Sequence, residues 1–176
     1  MPQPPYAPVN PPVRTLLGPG PSSVPPEVMA ALTAPVVGHL DPEFLKIMDQ
    51  VMEGLRAVFQ TRNRLTLPVS GTGSAGMEAG ICNALEPGDV AVIGVNGYFG
   101  GRMVEMAQRS GATVVTVEAE WGRIIPAEAI EGALKKQRQV KLLALVHAET
   151  STGILQPIAE AAKLAHRYGA LLLADT

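Results

Sequence analysis

The sequence predicts an α/β fold: a mostly parallel sheet with helices on both faces, three layers in all. Three observations predict it. From residue 64 onward, short apolar runs alternate with helical segments. The runs are continuous rather than alternating in polarity, as in strands buried on both faces. And 176 residues, 47% of them hydrophobic, are enough for one sizeable core.

Each element follows in order. The opening MPQPPYAPVNPPVR is Pro-rich through Pro12 and cannot be helix interior. It reads as a loose, extended tail; an arm across a partner subunit is the alternative. It lacks the basic and apolar regions of a signal peptide. Residues 1–23 are therefore taken as an arm ending in a GPGP loop, and residues 24–176 as the α/β domain. VPPEVMAALT places prolines in a first helical turn. In DPEFLKIMDQVMEGLRAVFQ, Asp41 is the cap and Pro42 the first helical residue. Phe44, Ile47, Met48, Val51, Leu55, Val58 and Phe59 recur at helical spacing, predicting one long amphipathic helix with this stripe in the core.

RLTLPVS then reads as a strand and GSAGMEAGICNALE as a helix, with PGD as the turn into the strand VAVIGV. FGGRMVEMAQRSG is a helix with a Gly stop, and ATVVTVEA a strand. PAEAIEGALKKQ and PIAEAAKLAHRYG are helices opened by Pro126 and Pro157; VKLLALVH and ALLLAD are the strands that follow them.

Composition excludes several functions. The net charge is −2 with signs interspersed, so no basic stripe suggests nucleic acid. No apolar run approaches the about 20 residues of a membrane span. Cys82 is the only cysteine, which excludes an internal disulfide and fits a reducing, cytoplasmic location.

In open parallel sheets, ligands bind beyond the carboxyl ends of the strands. The first such end is SGTGSAG, residues 70–76, where small residues open a helix and can cradle an anion, phosphate above all. Gly71, Gly73 and Gly76 satisfy G-x-G-x-x-G, but the dinucleotide fingerprint needs an acid at the end of the next strand, about 20 residues on. Asn96 follows that strand and Asp89 precedes it, which weakens a nicotinamide-dependent oxidoreductase. A plain tight turn is the alternative to a cradle. The second end, NGYFGGR, carries Tyr98 and Phe99 in a chain with only 4% aromatics, so a ring can cover a flat ligand or simply pack at the helix start. The third, HAETSTG, has an imidazole, a carboxylate and three hydroxyls in seven residues. His147 there reads as a satisfied histidine near the core, and no further ligands make His147 and Glu149 a metal pair. The fourth end is Asp175, an acid closing a buried strand, which needs a cation or strong donors unless it caps a helix or faces a surface turn. Phosphate cradle, ring, hydroxyls and carboxylate suit a flat aromatic cation bearing a phosphate, of which pyridoxal 5′-phosphate is one.

LLGPGPSSVPPEVM, GHLDPEF, SGTGSAGMEA, NGYFGGR, HAETSTGILQPI and LLLADT, in this order, resemble the class V aminotransferases of the fold-type I pyridoxal-phosphate superfamily. The likeness runs from Leu16 to Thr176 and is nearest the alanine–glyoxylate and serine–glyoxylate (serine–pyruvate) branch. It implies that Thr72, Gly73 and Ser74 hold the cofactor phosphate, and that Phe99, where Trp is common, stacks on the ring. It implies that Thr150 contacts the cofactor and that Asp175 pairs with the pyridine nitrogen. Gly18 and Gly20 match a loop near the substrate carboxylate. His39 lies in a matching motif without an assigned role. The implied reaction is a ping-pong transfer of an amino group from alanine or serine to glyoxylate, with small amino and 2-oxo acids as substrates and a homodimer as the assembly.

One departure matters. The lysine that holds the cofactor in this family follows the segment matching LLLADT, and the substrate-clamping arginine belongs to a small C-terminal domain. Lys46, Lys135, Lys136, Lys141 and Lys163 match neither the place nor the motif. The chain is thus expected to be the N-terminal part of the large domain, inactive alone, with a sheet edge and apolar faces left open. The rival readings are another class V enzyme, such as a phosphonate-pyruvate aminotransferase or a cysteine desulfurase, and a non-catalytic fragment. Desulfurases usually carry histidine where Phe99 stands.

Overall fold

The computed structural model describes residues 9–176; the start of the Pro-rich stretch, residues 1–8, lies outside the described residues. The chain divides into two units, Met1–Leu45 and Lys46–Thr176. In the first, residues 9–25 form neither helix nor strand, and Gly20 turns the GPGP loop at φ +119°. Helix α1 (Pro26–Ala31) opens on a proline, whose missing N–H would be an orphan at that position anyway. Helix α2 (Pro42–Phe59) begins in this unit, and the Asp41 carboxylate accepts from Glu43 N–H at 2.8 Å, the expected cap.

The second unit runs α3 (Gly73–Ala84), β1 (Val90–Val95), α4 (Tyr98–Arg109), β2 (Thr113–Glu118), α5 (Ala127–Lys135), β3 (Leu142–Val146), β4 (Ala148–Glu149), β5 (Ile154–Leu155), α6 (Ala159–Arg167) and β6 (Leu171–Asp175). Four strands pair in the order β2-β1-β3-β6, all parallel. Strand β3 is buried along its whole length because it has strands on both edges and helices on both faces. Its side chains alternate between two cores. Leu143 and Leu145 join Val92, Ile130, Leu134, Leu164 and Ala165 on the α5/α6 face. Leu142, Ala144 and Val146 join Ile81, Ala91, Ile93, Met103 and Ala107 on the α3/α4 face. Each fully buried leucine contributes about 1.5–3 kcal/mol of apolar burial. The expected three-layer α/β class is the one found.

Two expectations are corrected. RLTLPVS forms no strand: Leu65, Leu67 and Val69 are exposed, and Pro68 has no N–H to give to a ladder. The carbonyls of Asn63 and Arg64 accept instead from the Arg56 guanidinium at 3.0 and 2.9 Å. A β-prone composition needs a neighbouring strand, and among the described residues none pairs here. The apolar stripe of α2 is likewise not core, since no residue of the helix is buried. Met48, Met52 and Leu55 are half-buried, while Ile47, Val51, Val58 and Phe59 are exposed. Amphipathic spacing says which face wants cover, not what covers it. Among the described residues no helix is long and apolar enough to cross a membrane.

The sequence reading also missed the β4–β5 hairpin, which folds HAETSTGIL back antiparallel with Gly153 at φ +72°. This fold-back gives the loop after β3 a fixed shape.

Candidate active site

Parallel strands place every carboxyl end on one edge of the sheet, and the candidate residues gather there. A cavity of about 300 Å³ is lined by Thr72, Gly73 and Ser74 at the start of α3, Phe99 in the first turn of α4, Thr150 in the β4–β5 loop, and Asp175 at the end of β6. Met77, Ala148 and Thr176 complete it. Asp175 reaches this place because β6 lies in register with β3, Val146 opposite Asp175, and His147 N–H donates to the Asp175 carbonyl at 2.7 Å. Phe99 rather than Tyr98 faces the cavity. Tyr98 is exposed, stands edge-on to Phe99 at 87°, and lines a different hollow with Arg102 and Trp121.

The two helix N-termini at this edge differ. At α3 no acid stands in the first turn and the Thr72 side chain makes no capping bond. Gly71 (φ +148°) brings the chain so close that a Cβ would lie 2.8 Å from the Ala75 Cβ, whereas a Cβ at Gly73 would meet open space. The positive end of this helix is therefore free to receive an anion. At α4 that role is filled. The Glu149 carboxylate, only 1% exposed, accepts from Phe99 N–H at 3.1 Å and Gly100 N–H at 3.4 Å. Ser151 N–H and Oγ donate to its other oxygen at 3.2 and 2.6 Å, and Ser151 Oγ accepts from Tyr98 N–H at 2.9 Å.

Asp175 adds a carboxylate to the lining of the same cavity. Burial pushes the Asp175 carboxyl above its usual range, and the charge on Glu149 pushes it further. No cation lines the cavity. The pocket therefore presents an anion-binding end, an aromatic face, a hydroxyl and a carboxylate that lacks a positive partner.

The class-V aminotransferase model matches residues 15–176. The chain belongs to the class-V aminotransferases. Alanine–glyoxylate aminotransferase from Callithrix jacchus is 44% identical over 169 residues, covering 96% of this chain and 41% of that relative. The crystal structure of alanine–glyoxylate aminotransferase from Nostoc sp. superposes with a TM-score of 0.94 at 53% identity, over 97% of this chain and 45% of that one. That of ureidoglycine–glyoxylate aminotransferase from Bacillus subtilis gives 0.91 at 40% identity, over 94% and 43%. This class-V chain spans about two fifths of the length of the curated relatives it matches.

Of the site residues expected from the sequence, Thr72, Gly73, Ser74, Phe99, Thr150 and Asp175 meet at one cavity of this class-V chain. Gly18 and Gly20 belong to the first unit, and the cavity is built from the second. None of the lysines lines it: Lys135, Lys136 and Lys141 stand at the other edge of the sheet, and Lys163 is within α6. His147 is satisfied, as expected, its Nδ1 lying 2.7 Å from the Gln156 carbonyl. Sequence reasoning singled out the HAETSTG loop for its carboxylate and hydroxyls but assigned Glu149 and Ser151 no role in it. It also missed the buried pair Asn96 and Gln156. Asn96 Nδ2 donates to Gln156 Oε1 and the Arg123 carbonyl, and Gln156 bonds both polar groups of the Ile125 backbone. Asn96, where a dinucleotide site would need its acid, is thus a structural latch.

The raised Asp175 pKa has a testable consequence for the class-V fold without cofactor. An acid whose folded pKa exceeds its unfolded value favours the fold most below the unfolded value, 3.8 for aspartate, and loses that contribution as pH rises through the folded pKa. Asp175→Asn is expected to flatten this loss, so the variant gains stability relative to the parent between the ordinary carboxyl range and neutrality. Urea unfolding across that range measures it, and identical pH slopes for the two proteins would refute the shift.

Proposed function

We propose that the protein is a pyridoxal-phosphate enzyme that transfers an amino group from alanine or serine to glyoxylate. The observation that carries the reading is one cavity lined by an open helix N-terminus, by Phe99 and by an Asp175 carboxylate without a cation. Pyridoxal phosphate has the matching charges: phosphate at one end, a protonatable ring nitrogen at the other. When bound, it supplies the electron sink for the bond broken at the substrate α-carbon.

The chain's own groups have distinct tasks in this reading. The first-turn amides of α3, with the Thr72 and Ser74 hydroxyls, bind the phosphate. The Phe99 face covers the ring, and the Thr150 hydroxyl contacts the cofactor from the loop after β3. Asp175 keeps the proton on the ring nitrogen, gaining the cationic partner its buried site lacks. A homodimer and a cytoplasmic location belong to the same proposal; sedimentation and cell fractionation test them.

The names of the relatives support glyoxylate as acceptor: alanine–glyoxylate aminotransferase, and ureidoglycine–glyoxylate aminotransferase from Bacillus subtilis. The latter makes ureidoglycine a third candidate donor. In the full-length protein, pyridoxal phosphate is expected to give a visible absorption band that alanine bleaches and glyoxylate restores. Offering alanine, serine and ureidoglycine in turn ranks the donors. A protein that develops no band, or a band that none of these amino donors changes, overturns the proposal.

A further inference from the structure

We propose that Glu149 is a positioning residue that holds Phe99 in place as the cofactor-covering ring by capping α4 from 50 residues away in sequence. This rests on the pyridoxal-phosphate reading above.

Helix α4 has no cap of its own. Gly97 stands at its N-cap position without a side chain, and its first-turn amides would be orphans. The loop after β3 satisfies three in succession: Tyr98 N–H through Ser151 Oγ, and Phe99 and Gly100 N–H through Glu149 Oε2. Both carboxylate oxygens are used, because Oε1 takes Ser151 N–H and Oγ. Gly97 is what lets the carboxylate in. A Cβ there would fall within 2.3–2.7 Å of the Glu149 side chain. The bond to Phe99 is made at the backbone of the residue whose ring lines the cavity, and Glu149 lies between Ala148 and Thr150, which line it too. The clamp therefore fixes the ring and the hydroxyl relative to one another. A buried carboxylate with four charge-assisted donors is a stiff tie.

The test compares the full-length parent with Glu149→Gln and Ser151→Ala. Glutamine keeps the shape but has one acceptor oxygen, so one half of the clamp is lost. The expected result is roughly tenfold weaker pyridoxal phosphate binding, the size of one lost charge-assisted hydrogen bond. The visible circular dichroism per bound cofactor should also fall, because the ring is held less uniquely. Without cofactor, the Phe99 and Gly100 amides should exchange hydrogen faster in Glu149→Gln. A merely structural role would lower the melting temperature yet leave the dichroism per bound cofactor unchanged, and that outcome overturns the proposal. Ser151→Ala keeps the carboxylate and its bonds from Phe99 and Gly100 N–H but removes the Tyr98 link and the Ser151 Oγ donation to Glu149, so it serves if Glu149→Gln does not fold. It should show the same dichroic loss in smaller measure, and parent-like dichroism in it counts against the clamp. A parent that binds no pyridoxal phosphate refutes the cofactor reading itself, whereas a parent that binds and variants that match it refute only this inference.

Discussion

Asp175→Asn in the full-length protein is expected to lower kcat roughly a hundredfold to a thousandfold while pyridoxal phosphate stays bound, the range found when one preorganised electrostatic group is removed from a reacting centre. The phosphate end and the Phe99 ring are untouched by the change, so occupancy should persist. What is lost is the charge. An opposite charge within reach shifts a titrating partner by about one to three units, so its removal lets the ring nitrogen lose its proton near neutrality. The site makes the effect large for a physical reason: the carboxylate is partly buried, sits near the anionic Glu149 and has no cation lining its cavity. Its stabilisation of a cation there is little diluted by other partners. Single-turnover kinetics with bound cofactor measures the loss, and turnover equal to the parent would remove Asp175 from the role proposed for it.

The second large effect concerns the seat of α4. A Cβ on Gly100 would lie 2.7 Å from the Gly94 carbonyl oxygen and 3.0 Å from the Val95 Cα. Both atoms are backbone of β1 and cannot rotate away, so Gly100→Ala must lift the first turn of α4 off the sheet. Overpacking of this kind costs about 1–3 kcal/mol. Gly101, one residue on in the same helix, is the control, because nothing lies within 4 Å of its Cβ position. There alanine should be neutral or stabilising by up to about 1 kcal/mol through helix propensity. Denaturant midpoints of the two variants test the contrast, and equal effects would show that the close approach of α4 to β1 is not what fixes residue 100. Gly100→Ala should also weaken cofactor binding, since the lifted turn carries Phe99.

The layered fold was legible because its signals are local. Each helix of the sheet region begins or ends at a Pro, Gly or small-residue cluster, and β1, β2, β3 and β6 are the apolar runs between them. RLTLPVS carried the same signal and failed, because a strand exists only where another strand accepts its hydrogen bonds. The α2 stripe failed likewise, since periodicity is a property of one helix and burial a property of two surfaces. At the site, strand-end logic pointed to the Tyr98–Phe99 pair, the HAETSTG loop and Asp175, because parallel strands bring their carboxyl ends to one edge, and the resemblance chose Phe99 and Thr150 among them; Thr72 and Ser74 reach the same cavity from the start of α3, although the strand expected before it does not form. Glu149 escaped it. Its partners are backbone amides 49 and 50 residues away, and backbone amides look alike in every sequence.

The contact between Gly97 and Glu149 also couples substitution at these two positions of the chain. A side chain at 97 has no room while a full-length glutamate occupies 149, and a shorter residue at 149 leaves the first amides of α4 without an acceptor. The two positions form a lock in which either change alone is penalised. A lineage that opened it by shortening 149 would uncover a second positive helix end beside the one at α3.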